Sequence, residues 1–444
     1  MSKKCLIVLM LILGLFAGCE QAGVEVPEIE SPEKETVETS VESTGTNGTV
    51  QIETLTVALP YSEETVEYLV KMYQLKKDGL WDEDMDGQTV SLTELDKAEI
   101  DFVLDIVQTS TDGAGEDTLA SWEEGGVMPD LFFAGDIEVA KDYAAELNDS
   151  IAKYSGLNNE DIYINTLYEC AEDGIYYGIP HCMSAEVLIG TTDYIPEAGK
   201  PGIKYTAEEL TEYLQDISEE YEGVTPFAMA SDMLPYLGSC FNEDEATSYM
   251  LQDEYKNDKE KAEKIFEDEL EFVRKLYSEG LSADTDESGA NPVYVRTAAL
   301  WVGSSASLDM WKNYYPSRLY TLGFPCASVS DTAIYMVHVY PLCVYKESES
   351  KDLASDFAMF LSTDEDAQLL IYRCESRTGF FPAVRTDSVW DAVYGDEVFG
   401  LTAYVIRQVL GDCVFVGAGY GDAAEYLANF DPDAEYSLEG LYGS

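Results

Sequence analysis

The chain is short of positive charge. It has 26 lysines and arginines against 86 aspartates and glutamates, a formal net charge of −60 over 444 residues. Nucleic acid is excluded as a partner, because a polyphosphate needs a basic footprint. An anionic membrane surface would likewise repel the body. The acidity reads as surface solubility. A preference for a cationic solute would require the charge to line a pocket, which composition does not show. Histidine is almost absent, with two residues. No apolar run is long enough to span a bilayer comfortably. There is no G-x-x-x-x-G-K phosphate loop, no G-x-S-x-G and no H-E-x-x-H, so nucleotide hydrolysis and the common hydrolase motifs have no foothold. Cysteine is sparse for the length, and without a C-x-x-C pair a structural zinc site is unsupported. What is present is 46% hydrophobic and 12% aromatic residues, ample for a core and too much for a disordered chain. The length suggests two lobes or domains.

The first residues are a targeting segment, set aside before the fold is read. Lys3 and Lys4 precede an apolar run over residues 6–16, followed by Phe16-Ala17-Gly18-Cys19. Small residues just before a cysteine, directly after such a run, resemble the lipobox of bacterial lipoproteins. That resemblance implies a signal peptide over residues 1–18 and lipidation of Cys19. Phe16 stands where the family usually has leucine. With Cys5 in the signal and Cys19 acylated, seven of the nine cysteines remain, an odd number, so full pairing is impossible. Most read as buried thiols. Cys170 and Cys182 flank a hairpin and are the one pair considered for a disulfide. Residues 20–48 are rich in Glu, Ser, Thr, Val, Gly and Pro and lack aromatics, the composition of a flexible stalk; residues 19–53 form anchor and linker.

From residue 54 strands and helices alternate, which predicts an α/β body with mostly parallel strands. Residues 54–59 read as a strand, and Ser62 as the cap of a helix whose Val66, Leu69, Val70 and Tyr73 have helical spacing. Residues 100–107 and 129–133 read as strands around a helix at 117–124. Residues 174–179 and 185–189 read as two strands broken by Pro180. Thr206 with Glu209 is a capping box. Residues 262–277 carry a long helical stripe, residues 298–302, 319–324 and 334–345 are strands, and Ser362 with Glu365 is read as capping a later helix.

Seven segments then fall in a familiar order. Met128-Pro-Asp-Leu-Phe-Phe-Ala134, Gly174-Ile-Tyr-Tyr-Gly-Ile-Pro180, Ala298-Ala-Leu-Trp-Val-Gly-Ser-Ser305, Leu322-Gly-Phe-Pro325, Val344-Tyr-Lys-Glu-Ser-Glu-Ser-Lys351, Ala354-Ser-Asp-Phe-Ala-Met-Phe-Leu361 and Thr378-Gly-Phe-Phe-Pro-Ala383 resemble the extracellular solute-binding proteins of ABC importers, of the carbohydrate-binding (family 1) type. The resemblance covers roughly residues 54–390. It implies a class II periplasmic-binding-protein fold of two α/β lobes joined by crossing hinge strands, with residues 54–181 and 339–376 in one lobe and 182–338 and 377–444 in the other. It further implies a sugar or oligosaccharide held in the interlobe cleft, closure on binding, permease subunits as partners and a monomer. The chain would be extracytoplasmic, held at the bacterial cell membrane by its lipid alone. The segment 78–97 looks inserted, and the acidic C-terminus has no match.

A sugar site needs aromatic faces and polar groups for buried hydroxyls, placed at the C-terminal ends of strands. On that basis, and by position in the family pattern, the candidates are Tyr61, Ser62, Asp136, Ser184, Tyr236, Trp301, Ser304, Ser305, Tyr340 and Arg377. Each has a plainer reading in core or cap, Asp136 as an N-cap and Trp301 and Tyr236 as core. His338 reads as a core histidine, and Trp122 and Trp390 as further rings that could stack on a ligand. Asp82-x-Asp84-x-Asp86-Gly87 matches the first half of a calcium loop. The closing position is Thr93, and Glu94 comes one residue late. Asp82, Asp84, Asp86 and Glu94 therefore read either as a variant site for a structural calcium ion or as an acidic turn; no other cofactor is implied. No catalytic residue is assigned. The competing functions are the same fold binding a peptide, a polyamine or another small solute, and, further off, a surface glycoside-acting enzyme with two carboxylates.

Overall fold

A computed structural model describes residues 53–82, 85–111, 113–154, 157, 161–241, 258–286, 288–328, 335–375, 377–410, 414–415 and 430–438. Cys19 and the stalk lie outside them. No described helix is long and apolar enough to cross a membrane.

The strands in chain order are β1 (Thr54–Ala58), β2 (Val103–Ile106), β3 (Leu131–Phe133), β4 (Ala171–Glu172), β5 (Ile175–Tyr176), β6 (Ile179–Thr191) and β7 (Thr225–Ala228). Then follow β8 (Ser282–Ala283), β9 (Ala298–Ser304), β10 (Leu319–Leu322), β11 (Met336–Val344), β12 (Phe381–Pro382) and β13 (Val414–Phe415). One sheet runs β2-β1-β3-β11-β6-β9-β7-β8, with β10 and β12 on β6 and β13 on β11; β4 and β5 form a separate hairpin.

Pairing is parallel within β2-β1-β3 and within β9-β7-β8. These are the two lobes. Between them β11 and β6 run antiparallel to each other and to β3 and β9, so the sheet is mixed, not mostly parallel. At 13 residues, roughly 43 Å, β6 is long enough to serve both lobes. Its first half pairs with β11 and β12, and its second half with β9 and β10.

Pro180 does not break this strand, contrary to the sequence reading. It lies opposite Pro341, beside the register shift at Tyr340/Pro341. There an absent N–H costs the ladder little.

Period-2 alternation assigns the cores. In β3, Leu131 and Phe133 enter the core beneath helices Glu63–Lys77, Lys351–Thr363 and Glu365–Cys374, while Phe132 enters a smaller core on the opposite face. In the second lobe, Leu188, Phe227 and Leu300 face helices Ala207–Glu220 and Lys259–Ser278, while Ile189, Ala228 and Trp301 face the other way. Helix ends follow local chemistry. Ser62 caps Glu63–Lys77, whose first turn is acidic and last turn basic, and the Thr206–Glu209 capping box is formed. Ser362 is no cap: its helix runs on to Thr363, and Asp364 caps the next by accepting from Ala367 N.

The suspected disulfide is absent. Cys170 and Cys182 are both free and buried. Cys170 Sγ donates to Thr166 O, and Cys182 Sγ accepts from Arg377.

Candidate ligand cleft

The crossing strands have two unlike faces. One carries Met183, Ala185, Val187 and Ile189 of β6, Val337 of β11 and Phe381 of β12, all in one apolar core. The other begins in the first lobe's core with Cys182, Tyr340 and Leu342 and ends in the second lobe's core with Leu188 and Met336. Between these ends the residues are polar: Ser184 and Glu186 on β6, His338 on β11 and, across from Glu186, Ser304 on β9. Burying such a row within a fold is costly unless the groups are paired or kept for a ligand. This polar interval, where the strands pass from one lobe to the other, is the candidate floor of a ligand cleft.

Its groups are partly linked. Tyr340 stacks on Phe133 with centroids 5.6 Å apart, and its hydroxyl lies 3.2 Å from Ser184 Oγ. Ser304 Oγ donates to Ser184 Oγ at 3.4 Å and accepts from Ala306 N. His338 packs edge-on to Tyr340, and its Nε2 is 2.5 Å from Gly135 O, which ties the crossing to the loop after β3. Burial alone pushes the Glu186 carboxyl up to about 7.

At the first-lobe end, Tyr61 follows β1 and is buried, its hydroxyl paired with His181 Nε2. Burial, reinforced by Arg377, holds His181 near 3, so its ring is neutral. Burial raises the Tyr61 phenol. Arg377 is 8% exposed. Its guanidinium lies 4.2 Å from the Phe380 centroid and 5.4 Å from that of Tyr61, and Nη2 donates to Cys182 Sγ at 3.0 Å. In the second lobe, Asp232 follows β7; burial and the neighbouring Asp284 push its carboxyl up to about 6.

Tyr61, Ser184, Ser304, Tyr340 and Arg377 are thus brought together. Ser62 stands beside them, capping its helix and donating N–H and Oγ to Glu375 at 2.8 and 2.6 Å. Asp136 caps helix Ile137–Ala140 by accepting from Glu138 N at 2.8 Å. Tyr236 lies in the second lobe's core, stacked on Phe324 at 4.4 Å.

Two candidates are turned away from the floor. Trp301 is on the alternate face of β9 from Ser304, 2% exposed and stacked on Tyr315 at 5.1 Å. Ser305 is wholly buried, its hydroxyl accepting from Ala185 N and donating to Gly379 O. Of the further rings, Trp390 is buried with Nε1 donating to Val384 O, and Trp122 packs partly buried on the first lobe's smaller core.

His181, Glu186, Glu375 and Phe380 were not picked out from the sequence. Glu186 was legible, since period 2 places it on the face of Ser184.

The acidic loop is only partly in view, because Asp84 lies outside the described residues. Asp86 Oδ1 accepts from Gln88 N, and Glu94 lies in the short helix Leu92–Leu95. Among the described residues no group of three His, Cys, Asp or Glu side chains is placed to hold a metal. Gly87 has a local reason to be glycine: a Cβ there would come 2.0 Å from Asp366 O. Its N–H donates to Asp366 Oδ1, and Lys76 bridges Asp364 and Asp366.

No protein-family model matches the chain, and no curated protein matches it. Solved structures do. An ABC substrate-binding protein from Listeria monocytogenes in complex with cycloalternan is 14% identical, with 86% of this chain and 96% of that one covered at a TM-score of 0.58. The sugar-binding protein MalE from Xanthomonas citri is 14% identical over 84% of this chain and 90% of that one, TM-score 0.58. UgpB from Mycobacterium tuberculosis in complex with glycerophosphocholine is 13% identical over 89% and 94%, TM-score 0.57. At these identities the likeness is one of fold. The chain has the two-lobed class II fold of extracellular solute-binding proteins.

Proposed function

We propose that the chain is the substrate-binding component of an ABC importer, which captures a sugar or oligosaccharide between its lobes and delivers it to the permease. One observation carries the reading: a polar interval interrupts two apolar cores on a single face of the crossing strands. Hydroxyls, an imidazole and a carboxyl are offered there beside the Tyr61, Tyr340 and Phe380 rings, the mixture a polyol requires. A solute touching both lobes favours the closed arrangement, and the permease reads that closure. The role is binding, not catalysis, and the protein acts as a monomer held to the outer face of the membrane through Cys19.

The test is a thermal-melting panel of mono- and oligosaccharides, peptides and polyamines on the purified chain. A midpoint rise with saccharides, diminished in Tyr340→Ala and Ser184→Ala, is the expected result. A rise only with peptides or polyamines would transfer the same cleft to another solute class. For the anchor, fatty-acid labelling of cells should mark the wild type and not Cys19→Ala.

A further inference from the structure

Arg377 is, among the described residues, a buried cation without an anion. Among the described residues no carboxylate lies within ion-pairing distance of it; its one hydrogen-bond acceptor is the Cys182 thiol, and the rest of its setting is the ring faces of Tyr61 and Phe380 with the buried Tyr372 phenol and His181 imidazole nearby. Other arginines of the same fold are served differently. Arg407 reaches Arg385 O and Asp387, Arg373 reaches Val90 O, and Arg274 reaches Pro432 O and Ala434 O.

A guanidinium carries five donors in a planar fork, and ring faces satisfy its plane but none of its N–H groups. The buried side-chain atoms left without a partner include Trp301 Nε1 and both Glu269 oxygens but no nitrogen of Arg377, so solvent reaches its free edge. The nearby carboxyls are engaged or distant. Glu375 accepts from Ser62, and Glu186 is four residues from Cys182 along β6, roughly 13 Å. In a chain of net charge −60, a largely buried and unneutralised cation at the first-lobe end of the polar interval is conspicuous.

We infer that the captured solute carries an oxyanion, a carboxylate or a phosphate or sulfate ester, which docks on the free edge of Arg377 between Tyr61 and Phe380. This rests on the sugar-capture reading and sharpens it to an acidic saccharide. The charged end meets the first-lobe wall, and the hydroxyl-bearing end runs along Ser184, Ser304 and Glu186.

The test is calorimetric titration of the purified full chain with matched probes. Galacturonate and its trimer against galactose and a neutral galactose trimer make the carboxylate arm; glucose 6-phosphate and glucose 6-sulfate against glucose make the ester arm. The expected result is roughly ten- to a hundredfold tighter binding of the charged member in one arm, which also identifies the anion. Arg377→Gln should abolish that preference while leaving weak binding of the neutral partner. Arg377→Lys, which keeps the charge and loses the fork, should retain part of it and covers the case in which the glutamine variant does not fold. Equal affinity for charged and neutral members, or an equal loss of both in the variants, overturns the inference and leaves sugar capture standing. No binding of any saccharide, charged or neutral, overturns both.

Discussion

Glu186 and Glu269 are carboxyls that the fold keeps from water in different ways. Glu186 lies in the polar interval of the crossing strands, and its proton is held up to about 7 against an ordinary value of 4.5. A carboxyl that binds its proton more tightly when folded adds stability fully present below the unfolded value and lost as pH rises through the folded one. The melting midpoint of the wild type should therefore fall relative to Glu186→Gln between pH 5 and pH 8. The difference should be about 1–3 kcal/mol after allowing for the solvent that reaches the side chain. Parallel pH profiles for the two proteins would refute this. Glu269 is wholly buried on helix Lys259–Ser278, and among the described residues neither of its oxygens has a hydrogen-bond partner. Burial raises this carboxyl well above the usual range. Glu269→Met should stabilise the chain by about 1–3 kcal/mol at pH 8, by urea unfolding. A loss of stability would mean that the carboxyl has a partner in solution.

Among the elements, the crossing between the lobes depends on one glycine. Gly379 has φ +84°, and a Cβ there would lie 1.8 Å from Ser305 O; Ser305 in turn joins β6 to this segment through Ala185 N and Gly379 O. Gly379→Ala should cost well over 1 kcal/mol, since both the backbone and the space forbid a side chain. An unfolding midpoint equal to wild type would show that the segment gives way. The same stretch shows how far the sequence could be read. Strand positions, the Ser62 cap, the Thr206–Glu209 box and the helical stripes follow from local spacing, and most sit where expected. Trp301 could not be assigned to a face without knowing which strand flanks β9. Pro180 looked like a break because its facing bulge lies 160 residues further on. Ser362 looked like a cap because Asp364, two residues later, was not weighed as its rival. Tyr61, Ser184, Tyr340 and Arg377 were chosen by position in a family pattern. That Arg377 meets no anion among the described residues could not be read from sequence, because it depends on contacts among four separate segments.

At the scale of the whole molecule, the charge of −60 bears on how a charged solute arrives. An anionic solute approaches against the field, which salt screens beyond about 10 Å at 0.1 M. Its association rate should rise several-fold between 10 and 300 mM salt in stopped-flow measurements, while that of a neutral sugar stays level. A rate that falls with salt would assign the cleft to cations. The back of the crossing strands has a separate consequence. Met183, Ala185, Val187, Ile189, Val337 and Phe381 form a seam without a polar break, and parting it would wet every one of them. The front, with its row of hydroxyls, loses nothing by meeting water. The joint should therefore gape on its front side only, so that on the proposed function the grip on a solute would be translated into a single angle.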